Sequence, residues 1–177
     1  MTYRNSATTS GVPQLLIRPM TEADLVDLVL AEQERPAWTA AQFAEELYHP
    51  AGWQLVICQG EPGRLVGYIC CRSVAGEGEI LKIAVAVQCR GQGIGSLLLK
   101  TALSRMAAEG TGRCYLEVRD SNSIARNLYE KFGFRQIGLR KGYYNSPRED
   151  AVVYKVNIPR ARQGEEVRFP QPGTFGI

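Results

Sequence analysis

Arg90-Gly-Gln-Gly-Ile-Gly-Ser96 is the stretch from which the fold can be read outward. The segment before it, Glu79-Ile-Leu-Lys-Ile-Ala-Val-Ala-Val87, is short, apolar and rich in β-branched residues, which predicts a strand. The segment after it, Leu97-Leu-Leu-Lys-Thr-Ala-Leu-Ser-Arg-Met106, predicts a helix, with Ile94, Leu98, Ala102 and Met106 at helical spacing. Glycines between a strand and a helix let the backbone take conformations closed to other residues and leave no Cβ in front of successive N–H groups. Those donors, with the partial positive charge of a helix N-terminus, suit a phosphate or pyrophosphate. A nucleotide loop of the Walker type ends in Gly-Lys-Ser/Thr, whereas Gly95 is followed by Ser96 and Leu97. A dinucleotide fold needs an acidic residue closing the next strand, and Glu117 lies inside an apolar strand instead. Neither nucleotide pattern fits.

Working outward, Leu15 to Arg18 reads as a first strand stopped by Pro19, and Thr21-Glu-Ala-Asp24 as a helix cap followed by an apolar face of Leu25, Leu28 and Val29. Thr39-Ala-Ala-Gln42 opens a shorter helix with Phe43 and Leu47 on one side. Trp53 to Cys58, Leu65 to Arg72 and Glu79 to Val87 follow one another across short turns, which implies antiparallel neighbours. Beyond the long helix, Arg113 to Val118 is a strand that a crossover makes parallel to its predecessor, so the sheet is mixed. Asp120-Ser-Asn122 caps a helix carrying Ile124, Ala125, Leu128, Tyr129 and Phe132, ended by Gly133. Phe134 to Leu139 and Asp150 to Val156 close the sheet as a hairpin around Tyr143-Tyr-Asn-Ser-Pro147. The expected class is α/β (α+β), a mixed sheet of about seven strands flanked by about four helices. Residues 1–14 and 159–177 read as flexible tails around a domain at 15–158.

Composition narrows the function. The 177 residues are 45% hydrophobic and 22% charged, values of a globular chain. No apolar run is long enough to span a bilayer, and Met1-Thr-Tyr-Arg-Asn-Ser shows no signal segment, so the cytoplasm is the expected location. The five cysteines, Cys58, Cys70, Cys71, Cys89 and Cys114, read as small core residues of a reducing compartment. No Cys-x-x-Cys pair is present and His49 is the single histidine, so no metal is expected. A net charge of +3 is too small for nucleic acid but suits an anionic ligand.

Read from the residues alone, Glu117 is a candidate base on a strand face shared with Tyr115, or equally a solvated surface glutamate. Tyr129 is a candidate proton donor, with amphipathic core packing as its plainer role. Tyr143 and Tyr144 suit binding of a peptide backbone, or simple aromatic pairing at a hairpin end. His49 lacks any motif, Cys89 reads as an incidental thiol, and Arg160, Arg162 and Arg168 as solvated tail charges.

The pattern Arg90-Gly-Gln-Gly-Ile-Gly95 resembles the pyrophosphate loop of the GNAT superfamily of N-acetyltransferases. Leu116-Glu-Val-Arg-Asp-Ser-Asn122 and Ala125-Arg-Asn-Leu-Tyr-Glu-Lys-Phe-Gly-Phe134 resemble the coenzyme and catalytic segment of its protein N-terminal acetyltransferases, in particular the bacterial ribosomal-protein-alanine enzymes of the RimI type. Arg140-Lys-Gly-Tyr-Tyr144 and Arg148-Glu-Asp-Ala151 resemble that group's closing hairpin. The resemblance implies acetyl-CoA as co-substrate and the N-terminus of a protein, possibly ribosomal, as acceptor. It makes Glu117 the base and Tyr129 the acid that protonates the leaving thiolate. Asn122 would touch the coenzyme, the backbone of Ile83, Ala84 and Val85 would pair with its pantetheine arm, and Gly91, Gln92, Gly93, Ile94, Gly95 and Ser96 would cradle its pyrophosphate. Tyr143 and Tyr144 would hold the acceptor's first residues. The chain departs from the bacterial pattern at Ala86-Val87, where Asp-Pro is common, and at Ser96, where a basic residue is frequent. Neither membrane nor nucleic acid is an expected partner, and a monomer is the expected state. Two other readings stay open: an acetyltransferase for a small amine such as a polyamine or aminoglycoside, and a coenzyme-A-binding domain without turnover.

Overall fold

Arg18 and Asp24 show how one end of the chain is stitched together. Pro19 ends strand β1 (Leu15–Pro19), and the chain turns through a 3-10 helix at Glu22–Asp24 into helix α1 (Leu25–Ala31). The buried Asp24 carboxylate accepts from Arg18 Nη1 at 2.8 Å and Nη2 at 2.6 Å, from the Thr21 amide at 2.8 Å and from the Thr21 hydroxyl at 3.0 Å. Burial pushes this carboxyl upward, but the Arg18 and Thr21 hydrogen bonds outweigh it and hold the group below its ordinary value. A lowered carboxyl contributes stability above its unfolded value of 3.8 that is lost as pH falls through the lowered one. Asp24→Asn is therefore expected to cost about 2–3 kcal/mol at pH 7, less than a fully buried pair because Arg18 is partly solvated. Urea midpoints against pH check this: the gap between wild type and variant narrows below pH 3.8.

The computed structural model describes residues 14–31, 38–60 and 63–159. The remaining elements are α2 (Ala40–Tyr48), β2 (Gly52–Gln59), β3 (Arg64–Val74), β4 (Glu77–Val85), α3 (Ile94–Ala108), β5 (Arg113–Arg119), α4 (Ser123–Lys131), β6 (Arg135–Asn145) and β7 (Arg148–Asn157). The strands form one seven-stranded mixed sheet in the order β1-β2-β3-β4-β5-β7-β6. The β1/β2, β5/β7 and β6/β7 pairs are antiparallel, and the β4/β5 pair is parallel, as the crossover through α3 requires. Its ladder runs from Glu77↔Arg113 to Ile80↔Leu116. Among the described residues no helix is long and apolar enough to cross a membrane.

The chain divides into two compact units, residues 1–71 with 82–98, and residues 72–81 with 99–177. The first is built on β2 and β3, whose Val56, Ile57, Tyr68 and Ile69 are buried, as are Leu28 on α1 and Phe43 on α2. Phe43 sets its ring edge-on to Tyr68 at 5.3 Å. The second is built on β5 and β7, where Cys114, Leu116, Val118, Val152, Tyr154 and Val156 are buried beside Tyr129, Phe132 and Phe134. The spacing of Ile94, Leu98, Ala102 and Met106 holds: all four are buried on α3.

Several boundaries differ from expectation. The strand before the glycines ends at Val85, and Val87–Cys89 is a 3-10 turn. Val29 is exposed, because α1 is short and turns only Leu28 fully inward. Ile124 is also exposed; the stripe of α4 is Ala125, Leu128, Tyr129 and Phe132, and Ile124 stands one position outside it. The closing hairpin is tighter than expected, since β6 continues through Tyr143 and Tyr144 to Asn145 and the turn is Ser146-Pro147. The expected tails at 1–14 and 159–177 fall almost entirely outside the described residues, as do Arg160, Arg162 and Arg168.

Candidate functional site

In the first unit the site begins where β4 ends. Ala86 donates its amide to Val66 on β3 at 2.9 Å, and the 3-10 turn closes through Cys89 N–H to Ala86 O at 2.8 Å. Arg90 reaches back and donates Nε–H to the Val85 carbonyl at 3.0 Å, and Gln92 donates its side-chain amide to Gln88 O at 3.2 Å. Gly91 and Gly93 take φ of 73° and 80°, a left-handed conformation that costs an L side chain about 1–2 kcal/mol. A Cβ at either would stand in open space, so the glycines keep a front clear. Helix α3 starts at Ile94, and its first backbone bond runs from Leu97 N–H to Gly93 O at 2.9 Å. The amides of Ile94, Gly95 and Ser96 precede that bond, so they form the open N-terminus of a fifteen-residue helix. Gly95 and Ser96 thus belong to its first turn, not to the loop. Such an end favours an anion. Ile83, Ala84 and Val85 lead into it as half-buried strand residues.

In the second unit β5 alternates. Cys114, Leu116 and Val118 are buried on one face, while Tyr115, Glu117 and Arg119 stand half-buried on the other. Burial, with the charge of Glu79, pushes the Cys114 thiol up to about 12, so it stays neutral. All five cysteines are free and buried. Glu117 was expected in apolar surroundings, yet its carboxylate meets Arg140 Nη1 at 3.0 Å and accepts a hydrogen bond from the Tyr143 phenol. That bond, with partial burial, pushes the Tyr143 hydroxyl above its ordinary value, so it remains a donor at neutral pH. Arg119 pins the hairpin. It donates to the carbonyls of Ser146 at 3.1 Å and Pro147 at 3.3 Å, pairs with Glu149 at 3.1 Å, and lies 4.0 Å over the Tyr144 ring. Tyr143 and Tyr144 are themselves edge-to-face at 5.1 Å. The sheet therefore gathers Glu117, Tyr143 and Tyr144 on one polar face.

Tyr129 stands elsewhere. It is 5% exposed on α4, with its ring 5.7 Å from Phe134 and 6.3 Å from Tyr154. Tyr154 pairs with Leu116 across β7 and β5, so Tyr129 packs on the face of β5 opposite to Glu117. The alternation of β5 thus sets Glu117 and the Tyr129 ring on opposite faces of the sheet. Asn122 caps α4, accepting from the Ala125 amide at 3.1 Å, which leaves its side-chain NH₂ as a donor. His49 is occupied locally, its Nδ1 accepting from the Ala51 amide at 3.2 Å. Among the described residues no group of three or more His, Cys, Asp or Glu side chains is arranged to hold a metal ion.

Arg140 and Arg119 carry no signal of their own in the sequence. Arg140 lies in the Arg-Lys-Gly-Tyr-Tyr string itself, but its partner is on another strand, and the pairing is visible only once β6 and β7 are in register.

Comparison with known proteins supplies the chemistry that the geometry admits. The model of the acetyltransferase (GNAT) family matches residues 18–134. A Bacillus subtilis protein, assigned provisionally as a ribosomal protein bS18-alanine N-acetyltransferase, is 35% identical over 140 residues, covering 78% of this chain and 91% of the relative. The ribosomal protein bS18-alanine N-acetyltransferase of Haemophilus influenzae is 41% identical over 96 residues, 52% of this chain and 65% of its own. The crystal structure of the ribosomal-protein-S18-alanine N-acetyltransferase from Escherichia coli superimposes with a TM-score of 0.77 at 27% identity, over 86% of this chain and 99% of that one.

Proposed function

The chain belongs to the acetyltransferase (GNAT) family and is an acetyltransferase, and from that premise we propose that it acetylates the N-terminal α-amino group of a protein in the cytoplasm, with alanine first and a ribosomal protein as acceptor. The observation that carries this reading is the meeting of Glu117 and Tyr143, with Tyr144 against Tyr143, on one half-exposed face: a carboxylate that can take a proton beside phenols that can hold a peptide backbone. The names of the relatives point the same way.

Acetyl-CoA, when bound, supplies an activated acetyl thioester. Its diphosphate fits the cradle of Gly91 to Ser96, where no Cβ stands in front of Gly91 or Gly93 and the first amides of α3 are open. Strand residues Ile83, Ala84 and Val85 offer backbone groups to the pantetheine arm, and the Asn122 NH₂ offers a donor to the coenzyme. Glu117 takes the proton of the acceptor amine and Tyr129 returns one to the departing thiolate. An α-amine has a pKa of roughly 7.7–8.0, so a minority is already neutral near pH 7 and one carboxylate suffices.

The test supplies acetyl-CoA with an Ala-starting peptide, the same peptide N-terminally blocked, and a polyamine, and follows thiol release. Release with the free peptide alone is the expected result. Release with the polyamine only would make the protein a small-amine acetyltransferase, and release with the blocked peptide would move the acceptor to a side chain.

A further inference from the structure

The carboxylate assigned as base is already paired. Arg140 Nη1 lies 3.0 Å from Glu117 Oε1, the distance at which an acceptor amine would sit. Arg140 comes from β6, two strands away from β5 in the order β5-β7-β6. The register explains its reach. Glu117 pairs with Val153, which pairs with Gly138; Arg119 pairs with Ala151, which pairs with Arg140. Val153 stands on that face between Glu117 and Gly138, but Ala151, beside Arg140, carries only a methyl group, so the Arg140 side chain crosses β7 diagonally past Ala151 to the carboxylate. It also lies 5.5 Å from the Tyr143 ring, whose phenol donates to the same carboxylate.

The two partners differ in exposure: the Arg140 side chain is 59% exposed and that of Glu117 19%. A pair with one partner so solvated contributes little net stability, because water competes for the guanidinium and salt screens it. The Glu117 side has less water to fall back on, so it gains from keeping some cation in place. A second cation arriving from the open side, such as an acceptor ammonium, exchanges for the guanidinium at small cost.

We propose that Arg140 is a displaceable counter-ion for Glu117: it holds the carboxylate oriented until an acceptor arrives, gives way to the acceptor's amino group, and thereby sets acceptor affinity. This rests on the reading of Glu117 as the base. Arg140 is in this role a positioning residue, acting through Glu117 and not on the reacting atoms.

Calorimetric titration of an Ala-starting peptide into the full chain saturated with coenzyme A, which carries no acetyl group and so permits no turnover, tests it. Arg140→Gln is expected to bind the peptide about two- to fivefold more tightly, the scale of an exposed ion pair. Arg140→Lys keeps the cation and is expected to bind like wild type. The gain disappears with the N-terminally blocked peptide, and it disappears when Arg140→Gln is made in a Glu117→Gln background. Weaker binding by Arg140→Gln would overturn the proposal and make Arg140 a holder of the acceptor. Unchanged binding, or a gain that persists without Glu117 or with the blocked peptide, would overturn it as well. Failure of the peptide reading is seen separately, as turnover by wild type with a polyamine only; the same titration with that amine then decides the role of Arg140. Failure of Glu117 as base is seen as undiminished turnover by Glu117→Gln.

Discussion

Glu117→Gln is expected to lower acetyl transfer to a peptide at pH 7 by about two to three orders of magnitude, within the range of general-base effects. The amide keeps the size of the side chain and can still accept from the Tyr143 phenol, but it cannot take a proton. Loss of its ion pair with Arg140 costs little stability, since that guanidinium is largely in water. Melting temperature and coenzyme affinity are therefore expected to stay near wild type, which separates a chemical defect from a folding one. The defect also has a pH signature. Near pH 7 roughly one α-amine in ten is neutral, whereas near pH 9 almost all are, given a pKa of roughly 7.7–8.0. Raising the pH thus supplies part of what the missing base did, and the ratio of wild-type to variant rate is expected to shrink toward pH 9. An undiminished rate at pH 7 would remove Glu117 from the chemistry.

Tyr129→Phe is expected to lower turnover by about a hundredfold, the low end for a general acid, because a thiol of pKa about 8.5 leaves with only part of its proton demand unmet. The substitution removes one oxygen and keeps the ring between Phe134 and Tyr154, so the packing of α4 on the sheet is preserved. Steady-state kinetics with coenzyme and peptide varied in turn provide the check. A fall in kcat with coenzyme affinity nearly unchanged is the expected split. An equal loss in both would mean that the hydroxyl holds the coenzyme and delivers no proton.

The two variants probe opposite faces of one strand. Glu117 shares its face with Tyr143 and Arg140, and Tyr129 lies over the face of Leu116 and Tyr154. The alternation that places them there was legible in the apolar run around Glu117, whose neighbours Leu116 and Val118 had to face a core. That α4 covers the core side, and so carries Tyr129 away from the carboxylate, was not. A helical tyrosine shows its own face of the helix in the sequence but not the face of the sheet on which that helix lands.

The sequence by itself determined the order of the local machinery, a strand, a glycine loop and a helix, and an asparagine cap on α4, whereas the strand end at Val85 and the left-handed turn at Gly91 and Gly93 came from the structure. The loop and the cap depend on backbone requirements of contiguous residues, so local order is enough to specify them. Hydrophobic period likewise determined the number and order of the elements. Only the tertiary structure decided what meets Glu117 and what pins the closing hairpin. Arg140 and Tyr143 follow Glu117 by more than twenty residues, and the β6/β7 register shifts twice, between Gln136 and Gly138 and between Arg140 and Tyr144. Each shift changes which side chains share a face, and no local propensity encodes it, because a bulge is settled by how two distant strands fit together.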